Sequence, residues 1–522
     1  MSRVVGWKEG TMETGLIALV MVLAIIPSFH LSAQDIERGK AVYEKWCTGC
    51  HGDTGAGDGD AAAYMLPRPR DFRRAVYQIR TTASGELPTD DDIRHVVDQG
   101  MPGTAMTGWK SRLTSGDRDA VIAYIKSFSR FFDGAPPQSV DFPSAPRISD
   151  DGITEVARIY GELECFKCHG DRGRGDGTSA PTMSDDWDFP IRPTDLTRPW
   201  TFNGGAEVED IYRAIRTGLD GTPMPSFSDV IDAEIITDEQ LWRVAQYVHS
   251  LAPGRPRVRE VIRAGRTARV PDDPTDSAWV EAEAFYVPLV GQIIVSPRWF
   301  TPAVDGIWVR ALHDGERLAL HIAWSDPSAS PDPLWQEWIE LLATTVTDAD
   351  GALEPVQGPD RFTIQFPARL SDGMARPYFL GGDRRRPAYT WRWRSSPDQL
   401  EVGTSTGLGQ FVAGAGAASD VAHQAVFADG QWQLQVTRTL IPRDTSAAPT
   451  FAEGVAIPIA FRAADGSSGE THVRGSVSAW YAIYLDAPIS ATVFVMPVVA
   501  TLVTAGFGLL VVWRAQRREA TT

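Results

Sequence analysis

Two short stretches can do chemistry. Cys47-Thr48-Gly49-Cys50-His51 and Cys165-Phe166-Lys167-Cys168-His169 each place two thiols three residues apart and follow them with an imidazole. Thiols one helical turn apart can each bond a vinyl carbon of a haem, and the adjacent histidine is then carried to the iron as an axial ligand. A zinc site or a dithiol redox pair uses the same cysteine spacing, but neither requires a histidine in the fifth position, twice. These are the four cysteines of the chain, so no disulfide framework holds it together. The motifs predict two covalently bound haem c groups, attached at Cys47, Cys50, Cys165 and Cys168, with His51 and His169 as iron ligands.

The two motifs belong to a repeat. Cys165 follows Cys47 by 118 residues, and the same offset relates Gly57-Asp58-Gly59 to Gly175-Asp176-Gly177, Asp92-Ile93 to Asp210-Ile211, and Gly100 to Gly218. It also maps Met106 onto Met224, whereas the neighbouring Met101 falls on Leu219. Each of the two matched methionines lies 55 residues after its histidine. Met106 and Met224 are therefore the expected distal metal ligands, giving His/Met coordination and a raised potential at both irons. Arg70 and Arg192, in Pro-rich loops between motif and methionine, are candidates for haem propionates or for solvated surface arginines.

Elements must position these residues. Helical spacing of apolar positions predicts a helix over Asp35 to Trp46 before the first motif, another over Asp117 to Phe128 after its methionine, and one over Asp238 to Leu251 in the second copy. A leading and a closing helix would then cross beside each haem, with Gly/Pro-rich loops between. Together these features resemble class I cytochromes c over about residues 35 to 133 and 152 to 252, separated by a linker over 134–151. The resemblance implies a small α-helical module around each haem.

A second regime follows. Residues 253–270 read as an Arg-rich linker carrying Arg255, Arg257, Arg259, Arg263, Arg266 and Arg269, closed by Pro271-Asp272-Asp273-Pro274. From Trp279 onward, runs such as Gly306 to Ala311, Leu318 to Trp324, Phe362 to Phe366 and Trp432 to Val436 alternate with turns such as Ala428-Asp429-Gly430, which predicts an all-β sandwich over 271–487. Val309 to Glu316, Ala323 to Pro327, Phe379 to Asp383 and Ser476 to Tyr481 resemble the haem-binding domain family of the ethylbenzene dehydrogenase γ subunit. That resemblance implies a β-sandwich holding haem b between a methionine and a lysine and exchanging electrons with a periplasmic molybdenum enzyme. Here the family's ligand positions fall near Gly381 and Gly475, and the last lysine of the chain is Lys167. Arginine has no free lone pair to replace it. Met374, His313, His321, His423 and His472 are the conceivable substitutes, and the expectation is a docking domain without a third, noncovalent haem b.

The termini set location. Gly15 to Ile26 is an uncharged apolar run preceded by Arg3 and Lys8 and followed by Leu31-Ser32-Ala33, the pattern of a signal peptide over 1–33; an uncleaved anchor is the alternative. Ile489 to Trp513 gives 25 residues without a charge, followed by Arg514, Arg517 and Arg518. That is a single transmembrane helix with a cytoplasmic tail over 514–522 and everything from about Gln34 to Pro488 outside the bacterial cytoplasmic membrane. With 50 basic against 67 acidic residues the chain carries a net charge of −17, which argues against nucleic acid as a partner. The expected function is electron transfer without catalysis: a membrane-anchored dihaem cytochrome c linking an extracytoplasmic oxidoreductase, molybdenum-dependent by the resemblance, to the respiratory chain. A haem peroxidase and a ligand-binding β module with accessory haems are the alternatives.

Overall fold

The computed structural model describes residues 33–146, 153–252, 254, 259–348, 351–370, 376–414, 420–488 and 491–520. The expected signal peptide, Arg255, Arg257 and Met374 lie outside the described residues.

The N-terminal half is helical and twofold. In the first module the helix Ala33–Trp46 crosses Ser115–Lys126. The crossing is close: a Cβ on Gly39 would sit 2.1 Å from the carbonyl oxygen of Ala120, so glycine is what lets the two backbones touch. A third helix, Asp90–Gln99, completes the module around Tyr43, Ile93, Val97, Val121, Ile122 and Ile125. Reciprocal capping boxes, Thr89 with Asp92 and Thr114 with Asp117, satisfy the free N–H groups that start two of these helices. The second module repeats the plan with Ile153–Glu162, Val208–Thr217 and Asp238–Ser250, the last capped by Thr237 and Gln240. Its core holds Ile159, Ile211, Leu241 and Val244, and Tyr212 stacks on Trp242 with ring centroids 3.8 Å apart. The expected helix positions agree with these spans to within two residues.

The C-terminal half is a large β-sheet domain. Its main ladder runs from Phe411–Ala413 through Gln399–Ser405, Ala388–Arg394, Arg361–Pro367, Ala456–Ala464, Tyr481–Leu485, Val261–Arg266, Gly306–His313, Arg317–Ser325 and Gln431–Thr439 to Val421–Ala428. Strands distant in this order face each other. Trp393 meets Trp432 edge to face at 4.9 Å and Trp324 at 5.9 Å, and all three share one core with Phe362, Ile364, Trp391 and Phe461. The sheet is thus folded onto itself as two layers, the sandwich that alternating strands predict. Asp429 and Gly430 both have positive φ between paired Ala428 and Gln431, a two-residue turn whose twist suits a hairpin.

One boundary moves. The Arg-rich segment is not all linker: Val261–Arg266 pairs in parallel with both Tyr481–Leu485 and Gly306–His313. Ile262 and Ala264 are fully buried while Arg263 and Arg266 point outward to Asp486 and Glu453. Period-two alternation was present in the sequence, hidden by the arginines.

The last element is the helix Ala491–Glu519. Its apolar part has a mean hydropathy of 2.3 and none of it is buried against the protein. Thr501 donates to the carbonyl of Pro497 at 2.8 Å. The helix does not stop at Trp513 but continues through Arg514, Arg517 and Arg518, with the Arg517 guanidinium 3.9 Å from the Trp513 ring centroid.

Candidate functional site

Each haem motif opens a short helix, Thr48–His51 and Phe166–His169, so the two cysteines of a pair lie one turn apart. All four thiols are free and partly exposed. Burial pushes Cys47 up to about 12 and Cys165 up to about 11. A dithiol redox pair needs the opposite, a thiol held low enough to ionise near neutral pH.

The histidines are fixed in the same way in both copies. His51 Nδ1 lies 3.1 Å from the carbonyl oxygen of Arg70, and His169 Nδ1 lies 3.0 Å from that of Thr194. A carbonyl accepts only from a protonated nitrogen, so Nδ1 carries the hydrogen and Nε2 keeps its lone pair. Burial lowers the proton affinity of both rings, which favours the neutral form that binds iron. The loops that supply these carbonyls are held by matching bonds. Phe72 N–H donates to Gly55 at 2.7 Å, and Leu196 N–H donates to Gly173 at 2.6 Å. Gly57 and Gly175 donate to the carbonyls of His51 and His169, each at 2.9 Å. Both have positive φ, and a Cβ there would collide with Pro69 or Pro193, which accounts for glycine at the start of each Gly-Asp-Gly.

The methionine loops also coincide. Met101 N–H donates to the carbonyl of Met106 at 2.9 Å, and Leu219 N–H to that of Met224 at 3.1 Å. Thr104 and Thr222 each donate to the residue three positions back, at 2.7 Å, and accept from the methionine N–H. Met101 is therefore the structural partner of Leu219, as the repeat requires. Both Met106 and Met224 are half-buried, and Met224 borders the core of its module. The donor set in each module, two free thiols, a neutral imidazole with a directed Nε2 and a thioether, fits a covalently attached haem.

The arginines of these loops make long-range contacts. Across the carbonyl loops the structural offset is 124, since Pro69, Arg70 and Phe72 correspond to Pro193, Thr194 and Leu196. Arg192 thus matches Arg68, and Arg70 and Arg192 are both partly buried. Arg192 reaches into the β domain, bonding Asp465 at 2.7 Å and Ser468 at 2.8 Å beneath the rings of Trp335 and Trp338. Arg68 donates to Thr345 of the same domain at 2.9 Å. Arg70 stacks on Trp187 of the second module at 4.4 Å, and Arg74 does so at 4.9 Å. Trp187 in turn lies against Gly221 in the Met224 loop.

The modules are joined a second time. Arg80, 1% exposed, bonds Asp220 and the Thr217 carbonyl, both at 2.7 Å, and Ser84 and the Gly85 N–H also donate to Asp220. The second copy is six residues longer between Gly177 and Pro193, the stretch that holds Trp187. The first is six residues longer between Phe72 and Asp92, the stretch that holds Arg80. Each lengthened stretch carries a contact to the other module, a signal available in the sequence once the repeat is aligned by loops.

Among the described residues, each of the four histidines considered as haem b ligands in the β domain faces a different side chain. His313 faces Glu453 at 3.5 Å, His321 faces Gln433 at 3.4 Å and the Trp279 ring, and His423 faces Asp398 at 3.0 Å. His472 faces Thr363 at 3.3 Å.

Fold and site together define a chain with two cytochrome c domains, a large β-sheet domain and one long apolar helix. Residues 34–125 and 151–248 match the family described as cytochrome C oxidase, cbb3-type, subunit III, so both helical modules are domains of that kind. A Haloferax mediterranei protein named respiratory nitrate reductase heme subunit ORF7 is 26% identical over 220 residues, covering 40% of this chain and 67% of its own. The cbb3-type cytochrome c oxidase subunit CcoP of Rhodobacter capsulatus is 27% identical over 222 residues, covering 42% and 62%. The chain thus spans about two thirds of the length of the curated relatives it matches. A chain of the Kuenenia stuttgartiensis reducing HAO-like protein complex is 44% identical, covering 41% of this chain and 96% of its own with a TM-score of 0.39. Over its helical half the chain has two cytochrome c domains and is related to the nitrate reductase heme subunit and to CcoP.

Proposed function

We propose that the protein is a membrane-anchored dihaem cytochrome c that passes single electrons between an extracytoplasmic oxidoreductase and the respiratory chain. The observation that carries this reading is the duplicated orientation of His51 and His169 by backbone carbonyls, each with a matching methionine loop. Haem c, when bound, supplies one-electron ferric/ferrous chemistry. The chain's own part is to attach it through Cys47, Cys50, Cys165 and Cys168, to present Nε2 of each histidine, and to offer Met106 and Met224 as thioether ligands that favour ferrous iron.

The contacts between modules support a relay: Arg70, Trp187 and Arg80 with Asp220 hold the two sites against each other. The names of the relatives support a respiratory partner. The resemblance to the ethylbenzene dehydrogenase γ subunit favours a molybdenum enzyme as that partner, with the β domain as its docking surface. Long exposed apolar side chains on Ala491–Glu519 support a membrane anchor.

Purified protein tests the reading. Two haems per chain should survive denaturing electrophoresis, and a redox titration should give two one-electron steps. Fewer than two covalent haems would overturn it.

A further inference from the structure

The β domain carries a concentration of positive charge that the electron-transfer reading does not use. Antiparallel register places Arg462 opposite Thr363, Thr363 opposite Arg392, and Arg392 opposite Glu401 on four adjacent strands. Two residues along the same strands, Ala464, Arg361, Arg394 and Gln399 form a second row. Directly paired residues share a face, as do residues two apart. Arg361, Arg392, Arg394 and Arg462 therefore stand on one face, while Phe362, Ile364, Trp391, Trp393 and Phe461 fill the core on the other.

Such a face would ordinarily be open to water. Here it is covered by the segment 471–477, where His472 meets Thr363 and Gly475 presses so close that a Cβ would lie 2.6 Å from the Ala463 carbonyl. Arg462 is left 7% exposed. Among the described residues no carboxylate forms an ion pair with any of the four arginines, and the Nε groups of Arg392, Arg394 and Arg462 are buried without a partner. Arg361 donates only to the carbonyls of Pro359 and Glu470, and Arg392 rests on the Phe411 ring. A guanidinium cannot escape by losing its proton at neutral pH, so burying one unpaired, beside others of like charge, is costly. The chain as a whole has charge −17, yet Glu401 and Asp360, the carboxylates that act on Arg392 and Arg361, close no ion pair with them.

We propose that this cationic cleft is a binding site for a small oxyanion, held by Arg462, Arg361 and Arg392 beneath His472. The cleft is lined by Arg361, Thr363, Arg462, Thr471, His472 and Ser476. The segment that covers it leaves little space, which restricts the site to a small ion and excludes a peptide chain. Planar guanidinium forks match two oxygens of one anion at a time. Burial and the surrounding arginines hold His472 neutral, pushed down to about 2, so the ring can donate to the anion without adding charge. Cations are repelled, and an apolar ligand would leave the guanidinium groups unpaired.

Calorimetric unfolding of the holoprotein with inorganic phosphate as the probe tests the site, with chloride at equal ionic strength as the control. Phosphate should raise the unfolding temperature of the β domain saturably, and chloride should not. Arg462→Gln should abolish the phosphate effect while leaving the phosphate-free unfolding temperature unchanged or higher, because an unpaired buried charge has been removed. Should that variant fail to fold, Arg392→Gln, on the rim, should weaken phosphate binding about tenfold or more. A phosphate response no greater than that of chloride, or an undiminished response in the variants, overturns the proposal.

Discussion

Arg70 and Trp187 stand face to face across the boundary between the two cytochrome c domains. The guanidinium lies 4.4 Å from the ring centroid, and the carbonyl of the same arginine is the acceptor for His51 Nδ1. One residue therefore links the orientation of the first histidine to the packing of the second domain.

Trp187→Leu should loosen that link without touching a haem-attachment residue. It removes the stacking of both Arg70 and Arg74, contacts worth about 0.5–2 kcal/mol each. Both haems should still stain after denaturing electrophoresis, while calorimetry should show the helical half destabilised by about 1–3 kcal/mol. Unchanged unfolding of the helical half would show that the Arg80 and Asp220 bonds alone hold the domains together.

How far the sequence disclosed this arrangement depended on whether a signal was local. The haem motifs, the methionine spacing and the Asp429-Gly430 turn are short and were legible at once. The single offset of 118 did not reveal that the loops that orient the histidines are offset by 124, a shift absorbed before Asp92 and Asp210. Arg192 was read as a propionate or solvent group because nothing local tells that Asp465, 273 residues away, waits for it. The four arginines around His472 come from three strands and read singly as solvated positions; only the register brings them together.

The methionine loops give the sharpest test of the haem sites. Met106→His and Met224→His should each lower one midpoint potential by on the order of 0.1 V or more, as imidazole replaces a thioether. Met101→His should leave both potentials in place, since Met101 corresponds to Leu219, which carries no donor atom in its side chain. A shift with Met101→His and none with Met106→His would break the repeat alignment.

Removing the Arg192 clamp should be costly. Asp465 is fully buried, and although burial alone would raise its carboxyl, the Arg192 guanidinium and the Ser467 donors hold it below its ordinary value. Arg192→Gln leaves that charge uncompensated, with an expected loss of about 3–5 kcal/mol in the β domain. Asp465→Asn in the same chain should recover part of the loss. No recovery in the double variant would show that the loss comes from packing on Trp335 and Trp338 instead.

Buried carboxyls beside the clamp should make the β domain more stable at mildly lower pH. Burial, with Asp465 nearby, pushes Glu470 up to about 8. Burial raises Asp326 and Asp360, helped by repulsion from Asp360 and Asp465 at the first and from Asp465 at the second. A group that holds its proton more tightly folded than unfolded contributes stability at low pH and loses it as pH rises through the folded value. His472 acts in the opposite sense, but only below about 6.5, where the unfolded ring takes up a proton. Between about pH 8.5 and 6.5 the unfolding temperature should therefore rise as pH falls, and Glu470→Gln should flatten the rise. A pH profile unchanged by Glu470→Gln would show that this carboxyl is already ionised in the fold.

Truncation after Asp486 tests the anchor. Asp486 closes an ion pair with Arg263 at 2.9 Å and is worth keeping, whereas the helix Ala491–Glu519 exposes an apolar surface long enough to cross a membrane. All eight residues proposed to hold the haems precede Pro225, and the bonds that orient His51, His169 and the methionine loops draw no partner from the helix. The truncated protein should therefore be soluble, with both haems attached and both potentials unchanged. Its exchange of electrons with membrane-bound partners should slow at equal copy number, because tethering raises the effective concentration of one for the other. The net charge of −17 should make encounter with a basic soluble partner slower as ionic strength rises, with or without the helix. A truncated protein still found in membranes would assign the anchor to the apolar run Gly15 to Ile26, and an unchanged exchange rate would mean that the partner is reached without tethering.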